Sequence, residues 1–235
     1  MRGLQLPDRL FYSIMLTPDN NRLLITSAVL TGLTPLIPIP FVDDVAYTQL
    51  MRQMTARLAA SREIELSDAE IGALSDARGG SCLPGCLGTI IVYPLRKLFR
   101  KIFFFLEWKR AVDTVSRTYY QGYLLDVALR EGYLKAGGSE ELRAAIDRVL
   151  LRLDTRLIER AVKSVFRNSK NILRGTVDLL ASRFSSRRDK SENIVPDQEA
   201  GQVEGIVAQL QSAFSKLPAE HFAKLEEELK REFSL

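Results

Sequence analysis

Apolar residues recur along this chain at spacings of three and four, and that spacing constrains the fold to helices. Ala46, Tyr47, Leu50, Met51, Met54 and Leu58 form one such stripe. Leu142, Ile146, Val149, Leu153, Leu157 and Ala161 form a second. Val203, Ile206, Val207, Leu210 and Phe214 make a third, and Phe222, Leu225, Leu229 and Phe233 a fourth. Turning about 100° per residue, an α-helix gathers each set on one face that must be covered. No stretch alternates apolar and polar residues convincingly over the length of a strand. The expected class is therefore all-α, a multi-helix bundle with a C-terminal helical hairpin.

Local punctuation divides the pattern into elements. Thr17-Pro18 is a cap followed by a first-turn proline, opening a helix to about Leu33. Gly32, Pro35, Pro38 and Pro40 then force an extended break, because proline removes a donor and restricts its predecessor. Asp43 or Asp44 is expected to cap the next helix, and Ser67-Asp-Ala-Glu70 reads as a capping box. A long helix carrying Val112, Val115, Tyr119, Tyr123 and Val127 is expected to stop at Gly137-Gly138, with another starting at Ser139. A further helix spans roughly 169–184, with Gly175 as a weak point. The stretch after it holds few core formers and reads as a linker. The expected organisation is a main helical domain over 1–184, a polar linker over 185–198 and a helical hairpin over 199–235.

One segment combines these apolar stripes with charge. From Pro94 to Arg110, Leu95, Leu98, Phe99, Ile102, Phe103, Phe105 and Leu106 share one arc of a helical wheel. Arg96, Lys97, Arg100 and Lys101 fill the opposite arc, and Phe104 and Trp108 project there too. Between Arg96 and Arg117 there are seven Lys or Arg and two acids, Glu107 and Asp113. An apolar face beside a cationic one suits an anionic membrane surface or a protein partner. The expected contact residues are Leu95, Arg96, Lys97, Phe99, Arg100, Lys101, Ile102, Phe103, Phe104, Leu106 and Trp108. A core helix whose cations simply face water is the competing reading. A second stretch, Leu23 to Val42, carries no charge over roughly 20 residues, the length that crosses a bilayer. Its prolines leave three readings open: a buried core helix with a packed turn, a shallow or re-entrant insertion, and a span.

Familiar reaction chemistry is absent. Cys82 and Cys86 lie in a Gly-rich run, Gly79 to Gly88, as small turn residues or as lipidation sites beside the basic segment. The single histidine, His221, is distant in sequence and expected to be exposed, so no metal site and no cofactor are expected. Gly80-Ser-Cys-Leu-Pro-Gly85 has the glycine spacing of a phosphate loop, but Cys86-Leu87 stands where Lys-Ser/Thr is required. No Ser-His-Asp or Cys-His constellation suggests itself, which points away from an enzyme. A charged, proline-containing start does not resemble a secretory signal, so a cytoplasmic location is expected. The net charge of +4 permits anionic partners, yet no nucleic-acid-binding motif accompanies it, and nucleic acid is not an expected partner.

Thr34-Pro-Leu-Ile-Pro-Ile-Pro-Phe-Val-Asp-Asp44, set between an apolar helix and an amphipathic one, resembles a signature of the bacterial EcsC-like proteins and a related YcjF-like group. Those are helical proteins of unknown function, often membrane-associated and sometimes adjoining GTPase domains. The likeness spans Leu23 to Met54, and this chain departs from it in lacking a GTPase motif and a clean transmembrane helix. The resemblance implies a non-catalytic helical domain linked to the bacterial inner membrane, and it carries over no catalytic residue. The functional expectation is peripheral membrane association through 94–110. The alternative is a soluble scaffold or adaptor that binds a protein partner through the C-terminal hairpin.

Overall fold

The computed structural model describes residues 16–39, 41–75, 100–185 and 197–233, with the side chains at 100–107, 197 and 198 outside that description. The described residues form α1 (Pro18–Leu33), a 3-10 turn (Thr34–Leu36), α2 (Val42–Ser61), α3 (Asp68–Ser75) and α4 (Arg100–Glu131). There follow α5 (Tyr133–Arg152), α6 (Arg156–Asn168), α7 (Lys170–Ser185), α8 (Asp197–Phe214) and α9 (Ala219–Glu232). No strand occurs among them, so the chain is an all-α bundle.

The uncharged N-terminal stretch is the centre of that bundle. Thr17 Oγ1 accepts from the Asn20 N–H at 3.2 Å and starts α1, with Pro18 preset for the first turn. Leu24, Ile25, Ala28, Val29, Leu30 and Leu33 are all buried, covered by α2, α4 and α8. Of the three readings open from sequence, the buried core helix with a packed turn describes Leu24 to Ile37. α1 lies antiparallel on α4, with Asn20 beside Asp126 at one end and Gly32 beside Ala111 and Val115 at the other. Both crossings depend on glycine. A Cβ on Gly32 would stand 2.1 Å from Val115 Cγ2, and one on Gly122 would stand 2.3 Å from Leu24 Cδ2.

The helix ends show where local signals hold and where they shift. Ser67 and Glu70 form the reciprocal capping box, with Ser67 N–H donating to Glu70 Oε2 at 2.8 Å and Glu70 N–H to Ser67 Oγ at 3.3 Å. Asp43 and Asp44 fall inside the first turn of α2 rather than at its cap, which is Phe41. There they face the positive end of the helix dipole. α4 ends earlier than expected, at Glu131, because Gly132 takes a left-handed φ of 76°. The expected break at Gly138 is nevertheless present as a kink within α5, at φ 77°. Leu153 is extended and separates α5 from α6. That interruption resets the register, so the core face of α6 is Ile158, Val162, Val165 and Phe166 rather than a continuation through Leu157 and Ala161.

The two C-terminal helices follow one another through a short turn at Pro218 and then serve different parts of the core. α8 lies on α1, α6 and α7, with Val203, Ile206, Val207 and Leu210 fully buried. Arg183 Nε bonds the buried Glu199 at 2.7 Å, and Arg22 pairs with Glu204 at 2.6 Å. α9 lies on α4 and α5, where Phe222, Leu225 and Leu229 are buried and Phe233 stacks on Tyr133. Both helices therefore direct their apolar stripes into the chain's own core.

Candidate functional site

The antiparallel pairing of α1 with α4 brings the Pro-rich turn to the end of the bundle where α4 begins. The 3-10 turn touches α4 directly, and Ile37 closes the core beneath it. Beyond Ile37 the chain emerges. Pro38 is exposed, and so are three large apolar residues: Ile39 (38%), Phe41 (61%) and Val45 (52%). Phe41 holds a left-handed backbone, φ 69° and ψ −22°, which a bulky L-residue rarely adopts. Such a conformation costs on the order of 1–3 kcal/mol, so the surroundings hold it against its preference, and the residue stays mostly exposed. Lys109 and Arg110 are exposed on the third turn of α4, at the same end.

The interior holds polar clusters that the sequence alone did not reveal. The Asp126 carboxylate is completely buried and accepts from Arg62 Nε at 3.1 Å, Arg62 Nη2 at 2.6 Å and Asn20 Nδ2 at 2.8 Å. It therefore ties α1, the end of α2 and α4 together. Arg143 donates to Asp147 in bidentate fashion, at 2.9 and 2.8 Å, and to the Leu74 carbonyl at 3.0 Å. Tyr123 donates to Glu226 Oε1 at 2.6 Å, and burial together with that carboxylate pushes its phenol well above the usual range. His221 corrects another expectation. It is half-buried, with Nε2 2.8 Å from Tyr120 Oη and the ring edge-on to Tyr120 and Phe222. Burial lowers its pKa, with Asp154 opposing that shift and Lys224 adding to it. These groups satisfy one another across helix contacts and converge on no shared reaction centre. Among the described residues, no cluster of His, Cys, Asp or Glu could hold a metal ion.

The expected contact residues divide by where they fall. Leu95, Arg96, Lys97, Phe99, Cys82 and Cys86 lie outside the described residues. Arg100, Lys101, Ile102, Phe103, Phe104 and Leu106 lie on the first two turns of α4, where the helical backbone alone is described. Trp108 is fully described. The helical wheel puts it among the cations, but it is half-buried against the core, its ring edge-on to Phe166 at 5.8 Å. α6 packs on that side of α4, which a single-helix projection cannot anticipate. Ile39, Phe41 and Val45 were absent from the expected set. A signal for Ile39 and Phe41 is present in the Pro-Ile-Pro-Phe string, where proline breaks the helical backbone, but none marks Val45 on the first turn of α2.

No family model, curated protein or solved structure matches this chain. No helix among the described residues is long and apolar enough to cross a membrane.

Proposed function

We propose that this protein is a non-enzymatic helical domain that attaches peripherally to an anionic membrane, in the setting of the bacterial cytoplasm and inner membrane. The attaching surface is the end of the bundle where the Pro-rich turn and the start of α4 meet. The observation that carries this reading is Phe41, an aromatic held outward in an unfavourable backbone conformation between exposed Ile39 and Val45. Backbone strain of this kind concentrates at functional positions. Ile39, Phe41 and Val45 enter the boundary between headgroups and acyl chains. The basic segment 94–110, whose described part opens α4 at that end with Lys109 and Arg110 exposed, supplies cations for lipid phosphates, each favourable by about 1 kcal/mol near an anionic surface. Asp43 and Asp44 are the opposing charges at this site, held beside the first turn of α2.

Flotation of the purified chain with vesicles of phosphatidylcholine, with and without phosphatidylglycerol, tests the reading. The wild type is expected to float with the anionic vesicles. Phe41→Asp with Val45→Asp, and separately Phe99→Asp with Phe103→Asp, are expected to abolish flotation. Unchanged flotation of both pairs of variants contradicts the proposal.

A further inference from the structure

A second cationic surface lies where α6 meets α7. Around Ser169 the chain carries Arg160, Lys163, Arg167, Lys170 and Arg174, with no Asp or Glu from 160 to 177. All five are exposed. Lys163 lies 4.0 Å from Glu159, while Arg160, Arg167 and Lys170 have no ion-pair partner among the described residues. Asp154 acts on Arg160 and Glu159 on Lys163, while Asp113 across on α4 feels Lys109 and Lys163. The uncompensated charge therefore sits at Arg167 and Lys170. The first turn of α7 also contains no acid, so Lys170 stands unfavourably at the positive end of the helix dipole unless an anion faces it.

This corner is not purely polar. Ile172, in the first turn of α7 with Lys170, is 45% exposed. The corner also belongs to the end of the bundle described above. Phe166 meets Trp108 near the start of α4, and α7 touches both the 3-10 turn and α2. An exposed isoleucine on the same corner as exposed cations fits an interface that is anionic outside and apolar beneath. A nucleic-acid strand would instead call for aromatic platforms on which bases stack, and the exposed residues of this corner include no aromatic.

We infer that the α6–α7 corner is a second contact with the same anionic lipid surface, Arg167 and Lys170 meeting headgroup phosphates and Ile172 entering beside them. The inference rests on the membrane reading and adds to it a fixed orientation. Two separated contacts at one end of the bundle stop it from rotating about either.

Vesicle flotation of the full chain at ~0.1 M salt tests it, where charges more than about 10 Å apart are largely screened. Arg167→Gln with Lys170→Gln is expected to weaken binding to phosphatidylglycerol-containing vesicles roughly 30-fold, from the loss of two contacts near the surface. Ile172→Asn is expected to weaken it further, and both variants should melt like the wild type because the residues are exposed. If the double variant floats like the wild type while Phe41→Asp with Val45→Asp does not, the corner is no contact and the membrane reading stands. If the wild type itself does not float, both fail. If the double variant keeps vesicle binding but loses binding of a single-stranded oligonucleotide that the wild type holds, the corner serves nucleic acid and the inference is overturned.

Discussion

Replacing Arg62 by Met tests how the core is held in register. Asp126 is completely buried and takes three hydrogen bonds, two of them from Arg62. Arg62→Met leaves the carboxylate with Asn20 alone, and an uncompensated buried charge costs about 3–5 kcal/mol. Asp126→Leu leaves a guanidinium that is partly exposed and can turn toward water, so the loss is smaller, about 1–3 kcal/mol. The double replacement removes both charges and should recover most of the loss, short of about 1–3 kcal/mol for the amide of Asn20 left without its acceptor. Urea unfolding of the four proteins, followed by circular dichroism at neutral pH, yields the coupling energy. A coupling of at least ~2 kcal/mol is expected. Independent, additive losses, or a loss below ~1 kcal/mol for Arg62→Met, would refute the reasoning.

Gly32→Ala is expected to cost about 1–3 kcal/mol in a thermal or urea melt, because the new methyl meets the stiff Val115 and the Ala111 carbonyl. Gly122→Ala should cost less, since the Leu24 and Met54 atoms in its way end flexible side chains and Ala favours a helix by about 1 kcal/mol over Gly. Deleting residues 199–235 is expected to abolish cooperative unfolding. It removes Val203, Ile206, Val207, Leu210, Leu225 and Leu229 from the core, each worth about 1.5–3 kcal/mol against a typical total of 5–15. His221 contributes stability that is fully present above its unfolded pKa of 6.5 and lost as pH falls through the lowered folded value. Acidification should accordingly lower the melting temperature of the wild type more than that of His221→Asn.

Much of this fold is legible in single-helix patterns. Thr17-Pro18, the Ser67–Glu70 box and the stripe from Ala46 to Leu58 are local signals, and the structure uses each as read. What escapes such reading depends on neighbours. Leu157 and Ala161 continue the α5 stripe on paper, yet the break at Leu153 hands the core face to Ile158 and Val162. Trp108 points among cations on a wheel and packs on Phe166 because α6 lies there. Asp126 looks like any helical carboxylate until Arg62 and Asn20, distant in sequence, arrive beside it. The exposed turn was half legible. Its prolines announced a break, but only the packing shows that Ile37 turns inward while Ile39 and Phe41 turn out.

The most direct test follows the environment of position 41. Phe41→Trp, in a Trp108→Phe background that removes the only other indole, reports that site alone. On adding phosphatidylglycerol vesicles its emission should shift to the blue and be quenched by brominated acyl chains, with neither effect on phosphatidylcholine alone. An emission that stays that of an aqueous indole at saturating anionic vesicle contradicts the account.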